Sequence, residues 1–206
     1  MLRRFSLLLT VCLMFVAAPS SAEVMAPDEL VKNVTLEVLD IVSKDKEIQA
    51  GNVEKVIGLV DAKVLPHFSF DSMTALAMGV SWRKATPEQK TKLIREFRTL
   101  LVRTYASAIT SYRDERFEFL PLRAKPTDTD VTVNVRVLKS GRQPVAIDYD
   151  MEKTAAGWKC YNMYVAGVSL VLNYRTEFAN EVRKSGIDGL IAVLEKKNKE
   201  LEAGAK

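Results

Sequence analysis

The sequence predicts an α+β fold: a curved four-stranded antiparallel sheet packed with several helices to form a cone-like pocket. Three observations carry this. Apolar residues recur at helical spacing through the first half of the chain, alternate between residues 117 and 165, and return to helical spacing after Ser169. Turn clusters at 139–142 and 154–157 divide the alternating region into neighbouring strands. Helices, then a meander, then helices is an α+β order.

The chain starts with a segment that reads as a leader. Arg3 and Arg4 precede a nearly all-apolar run over 5–18, and Pro19-Ser20-Ser21-Ala22 closes it with small residues. That is the pattern of a secretory signal peptide, with cleavage expected after Ala22. The run is shorter than the roughly 20 residues a membrane span needs. Val11 before Cys12 is a poor context for lipidation. Residues 1–22 are thus read as a signal peptide and 23–206 as one domain.

Loss of 22 residues from 206 leaves 184, and loss of Arg3 and Arg4 lowers the net charge from +4 to +2. A chain this near neutrality has no electrostatic footprint for nucleic acid. Cys160 remains as a single thiol, so no intrachain disulfide is expected. One His and one Cys cannot complete a four-ligand zinc site, and a Ser-His-Asp triad would have to use His67.

Each element has its own signal. Pro27-Asp28-Glu29 looks like a first helical turn, and a broad apolar face follows through Leu30, Val31, Val34, Leu36, Val38, Leu39, Ile41 and Val42. Asn52 is placed to cap a second helix over 52–65, which Pro66 ends. A third helix is expected over 68–80. Thr86-Pro87-Glu88-Gln89 forms a capping box, with proline at the first helical position. Leu93, Phe97, Leu100, Leu101, Tyr105, Ala108, Ile109 and Tyr112 continue that helix as a stripe.

The strands follow. Phe117 and Phe119 alternate with Glu118, Val131 to Val137 alternate with polar residues, and Val145, Ile147, Tyr149 and Met151 alternate with Ala146, Asp148 and Asp150. In the last strand Trp158 and Cys160 stand out of phase with Tyr161, Met163 and Val165, which suggests two apolar faces, both covered. Ser169 is placed to cap a helix, and Gly186 to divide the final helical region in two.

Catalytic motifs are scarce. Neither GxGxxG nor GxxxxGK[ST] occurs, and Gly167-Val168-Ser169 lacks the second glycine of a nucleophile elbow. Asp148 and Asp150 share one strand face, opposite Ile147 and Tyr149, and are read as solvated. An Asp beside a Tyr in a cone-shaped fold is also the material of a ketosteroid-isomerase-like site, so an enzyme is kept as an alternative.

Two stretches carry a resemblance. Gly79-Val80-Ser81-Trp82-Arg83-Lys84-Ala85-Thr86-Pro87-Glu88-Gln89 is one, and Gly167-Val168-Ser169-Leu170-Val171-Leu172-Asn173-Tyr174-Arg175 the other. With Gly157-Trp158-Lys159-Cys160-Tyr161-Asn162 and Gly186-Ile187-Asp188-Gly189-Leu190-Ile191, they resemble the MlaC-type periplasmic phospholipid-binding proteins, also called the toluene-tolerance auxiliary family. Asn162 departs from a usual Asp, and Ala166 from a common acid.

The resemblance implies a periplasmic carrier of glycerophospholipid, and a soluble shuttle is most simply a monomer. It implies exchange with an outer-membrane lipoprotein–porin complex and an inner-membrane ABC transporter complex, maintaining outer-membrane lipid asymmetry. No cofactor is implied; the ligand is the lipid. Facing stripes then supply candidate acyl-chain contacts: Met73, Leu76, Phe97, Leu101 and Tyr105 from the helical wall. Val133, Val135, Ile147, Tyr149, Trp158 and Met163 come from the sheet, and Val168 and Leu172 from the returning helix. A lipid-free periplasmic adaptor is the third class the residues leave open.

Overall fold

The computed structural model describes residues 25–111 and 115–204. The expected leader, its cleavage point and Tyr112 lie outside them. The fold is α+β, as the patterning predicts.

Helix α1, Pro27–Lys44, starts with proline in its first turn and Asp28 and Glu29 at its positive end. Asp45 ends it and caps the short α2, Lys46–Gln49, accepting the Glu47 and Ile48 N–H groups at 2.9 and 3.1 Å. Asn52 caps α3, Val53–Leu59, through the Lys55 N–H at 3.1 Å.

The helix expected over 52–65 does not run through. At Val60–Val64 it widens into a π turn, with the Leu65 N–H bonded to the Val60 carbonyl, and Leu65–His67 tightens into a 3-10 turn. Pro66 has no N–H to give the carbonyl four residues back, so the α register cannot pass it. Phe68 likewise does not join the third helix. It forms a parallel bridge with Cys160, and the Ser69 N–H bonds the Cys160 carbonyl at 2.8 Å. Helix α4 therefore spans Phe70–Met78, and Gly79, at φ 55°, turns the chain into a 3-10 segment, Gly79–Lys84.

Helix α5, Pro87–Tyr105, carries the full capping box: Gln89 N–H to Thr86 Oγ1 at 3.2 Å, and Thr86 N–H to Gln89 Oε1 at 3.0 Å. The stripe is interrupted after Tyr105 and resumes as α6, Ala108–Ser111. Helix α7, Arg175–Gly204, breaks at Gly186, where φ is 74°. This leaves helical stretches 175–185 and 187–204; the break is where the sequence expects it, but the first stretch starts at Arg175 rather than just after Ser169, because Ser169 pairs with Tyr164 in the sheet. Ser169 Oγ accepts the Val171 and Leu172 N–H groups at 3.2 and 2.8 Å, capping a 3-10 turn, Leu172–Tyr174, that leads into α7.

Among the described residues the sheet has five strands in sequence order, one more than expected: β1 Arg116–Phe119, β2 Asp130–Leu138, β3 Val145–Thr154, β4 Gly157–Val165 and a two-residue β5, Val168–Ser169. All pairs are antiparallel. In β2 every valine from 131 to 137 is buried and every intervening residue from 130 to 136 exposed.

The expectation of two apolar faces on β4 is corrected by a bulge. Met151 pairs with Cys160 and Asp150 with Asn162, so Tyr161 is the extra residue. The side-chain phase shifts by one at that point. Trp158 and Cys160 before the bulge share the inner face with Met163 and Val165 after it, while the Tyr161 hydroxyl reaches Asp130 Oδ2 on the outer face at 2.9 Å.

Three groups of buried side chains hold these layers. One joins α4, α5 and α7, with Phe97 wedged against Tyr174 and Phe178 at centroid distances of 5.3 and 5.2 Å. A second joins α1, α2, α3 and the end of α5. The third joins the sheet's inner face to Val31 and Leu30 of α1. These layers do not meet everywhere, and the gap between α1 and the sheet is the candidate site.

Candidate functional site: an apolar cavity between the first helix and the sheet

Helix α1 presents Leu30, Val31, Val34, Val38 and Leu39 to the inner face of the sheet. Opposite stand Phe117 of β1, Ile147, Tyr149 and Met151 of β3, and Cys160, Met163 and Val165 of β4. Val64, His67 and Phe68 close one side, Tyr105, Ala108 and Ile109 another. The cavity volume is ≈ 330 Å³, within the range of small-molecule sites, roughly 300–1,000 Å³. A second chamber of ≈ 140 Å³ lies beside it, walled by Met73, Leu101, Val102, Phe70 and Val60. The two chambers share Val64, Phe68, Tyr105, Ile109, Met163 and Leu170.

Among the described residues, the lining carries no Asp, Glu, Lys or Arg side chain. Burial pushes the Tyr149 phenol well above its ordinary range, so it stays protonated. Burial also pushes the Cys160 thiol up to about 12, and the thiol points at the Asn162 carbonyl, 3.1 Å away. His67 is lowered, chiefly by burial and then by the charge of Lys159, with Glu37 opposing. Such a wall can hold methylenes and aromatic rings; its polar contributions are hydroxyls, one thiol and one imidazole.

Asp148 and Asp150 face the other way. Asn134 Nδ2 donates to Asp148 at 2.7 Å, and Thr132 Oγ1 and Asn162 Nδ2 donate to Asp150 at 2.9 and 3.2 Å. Strand alternation thus separates both carboxylates from Tyr149, and the Asp–Tyr pairing of an isomerase-like site is not assembled.

Among the residues singled out in the sequence, Tyr105, Ile147, Tyr149 and Met163 line the larger chamber. Met73 and Leu101 line the smaller one, which Tyr105 and Met163 also reach. The others are not brought there. Leu76 and Phe97 belong to the α4–α5–α7 core. Val133, Val135 and Trp158 lie in the group that Val31 of α1 fills. Val168 is 57% exposed on β5, and Leu172 sits in the 3-10 turn. The α1 face was missed as a wall, although its apolar spacing was plain. Periodicity says that a face is buried, not what it is buried against. Met151, Cys160 and Val165 needed the bulge to be placed on the same side as Met163.

Fold and cavity together define a class: an α+β protein enclosing an apolar space between a helical layer and one face of an antiparallel sheet. The family model described as MlaC protein matches residues 32–196, and the chain belongs to that family. It is 26% identical over 163 residues to the toluene tolerance protein ttg2D of Pseudomonas putida, covering 79% of this chain and 75% of that protein. It is 23% identical over 140 residues to the intermembrane phospholipid transport system binding protein MlaC of Haemophilus influenzae, covering 66% of this chain and 65% of that one. Among solved structures, a phospholipid-binding protein from Ralstonia solanacearum in complex with a phospholipid superposes with a TM-score of 0.80. That protein is 37% identical, over 86% of this chain and 99% of its own.

Proposed function

We propose that this protein is a periplasmic carrier that binds glycerophospholipid by its acyl chains. It would shuttle the lipid between an outer-membrane lipoprotein–porin complex and an inner-membrane ABC transporter complex, and so maintain outer-membrane lipid asymmetry. The observation that carries this is the ≈ 330 Å³ apolar cavity in the fold of a relative that holds a phospholipid. Each methylene moved into such a wall contributes about 0.8 kcal/mol, so capture is favourable with no cofactor. A full lipid needs the larger chamber joined to the smaller, by movement of the shared Phe68, Tyr105 and Met163 side chains. Release then requires a partner that offers the chains another apolar conduit.

The leader pattern supports export, with Glu23 as the first mature residue. No helix among the described residues is long and apolar enough to cross a membrane. The test is organic extraction of natively purified protein followed by mass spectrometry. Glycerophospholipid at a fixed ratio to protein is expected; a preparation free of lipid would overturn the reading. Mass analysis of the same material reads the amino terminus.

A further inference from the structure

Among the described residues, the larger chamber has one nitrogen-bearing side chain in its lining, His67. It is half-buried, and Pro66 before it is exposed. The backbone on both sides of it is tied down. The Lys159 ammonium donates to the carbonyl of Pro66, and Phe68 is bridged to Cys160, with Ser69 N–H on the Cys160 carbonyl at 2.8 Å. An imidazole is thus held at the rim of an apolar chamber, beside an ammonium anchored to the preceding residue. Thr35 of α1 adds a hydroxyl to the lining of the same chamber.

Lys159 of β4 opposes protonation of the imidazole more strongly than Glu37 of α1, which Lys63 engages at 2.5 Å, favours it; Glu152, across the strand pair from Lys159, accepts a hydrogen bond from Ser72. Packing gives no reason for a polar ring here, since its neighbours Val64 and Phe68 complete the wall as hydrocarbon. An anion attached to an apolar body would meet both needs, with its chains inside and its charge at the edge.

We infer that His67, with Lys159 beside it, is the seat of a phosphate-ester anion, the headgroup phosphate of the lipid whose chains fill the chamber. This rests on the carrier reading and adds to it a defined polar end. With the seat empty, burial and the Lys159 charge both oppose protonation of His67, while Glu37 favours it. A bound phosphate reverses the effect of Lys159 and raises the titration midpoint.

The chain contains a single histidine, so the imidazole is one resolved signal in a carbon–proton spectrum of labelled protein. Its midpoint is read in delipidated protein, in protein loaded with phosphatidylglycerol, in protein loaded with diacylglycerol, and with glycerol 3-phosphate alone. Phosphatidylglycerol should raise the midpoint and diacylglycerol should not. A rise with glycerol 3-phosphate alone as well would assign the seat to phosphate esters in general; no such rise assigns it to the lipid headgroup. An unmoved midpoint with phosphatidylglycerol, or an equal rise with diacylglycerol, overturns the inference and leaves the carrier reading standing. Failure to load either lipid removes the carrier reading, and the inference with it. His67→Phe should lower affinity for phosphatidylglycerol about tenfold with diacylglycerol unaffected, and His67→Gln, which keeps an N–H donor, should restore part of it. Equal loss of both lipids in His67→Phe would assign the residue to chain packing instead.

Discussion

Tyr149 stands directly opposite Met163 across β3 and β4, and both side chains line the larger chamber. The bulge at Tyr161 makes this so, by moving Met163 onto the inner face that Trp158 and Cys160 already occupy. A strand that looks apolar on both sides thus devotes its apolar residues to one. The outer face is left to Tyr161 and to the polar network of Asp130, Thr132, Asp150 and Asn162.

This placement separates lining from core, and mutations should separate them too. Met163→Trp puts a rigid ring into the chambers. Excluding about two methylenes costs about 1.6 kcal/mol, more than a tenfold loss of lipid affinity. The thermal midpoint should change little. Val135→Ala, in a fully packed position, should do the reverse. It should cost about 2 kcal/mol and lower the midpoint by about 4–8 °C, with the lipid-to-protein ratio unchanged. Equal effects on both readouts in both variants would mean that the chamber and the core are one packing unit.

Ala166 and Gly167 connect β4 to β5 with φ angles of 50° and 78°. Two positive φ angles in a two-residue connection suit Asn-Gly or Asp-Gly. Alanine pays for its Cβ there, which gives a physical reason for an acid at this position in the resemblance. Ala166→Asn should therefore stabilise the protein by about 0.5–1 kcal/mol, seen as a rise of about 2 °C in the thermal midpoint. A fall would show that the side chain meets something the turn geometry does not reveal.

His67 also sets a direction for pH dependence. Its midpoint is lowered in the folded state from an ordinary value of 6.5. Between the folded and unfolded midpoints the unfolded chain binds more protons, so stability rises with pH. Its contribution is fully present above about 6.5 and is lost as pH falls through the folded value. Chemical denaturation of lipid-free protein from pH 7.5 to 5 should show a loss in the wild type that is smaller in His67→Gln. Identical slopes would assign the acid sensitivity to other groups.

Cys160 should be inert while the protein is folded. Its side chain is buried, and burial holds the thiol near 12, so almost no thiolate exists at pH 8. Iodoacetamide followed by peptide mapping should leave the Cys160 peptide unlabelled in native protein and label it in denaturant. Rapid native labelling would reveal opening of the wall between Phe68 and β4.

The sequence by itself determined the elements with local causes. The capping box at Thr86 and Gln89, the break at Gly186 and the alternation of β2 depend on residues a few positions apart, and they stand where the patterning puts them. Tertiary structure decided what each apolar face meets. Phe97 looked like a chamber wall and is wedged between Tyr174 and Phe178, whereas Leu30, Val34 and Leu39 looked like ordinary amphipathic packing and line the chamber. The physical reason is that burial from water is favourable against a neighbouring side chain or a ligand alike. The pattern records the preference, and the placement of α1 across the sheet determines where the space remains.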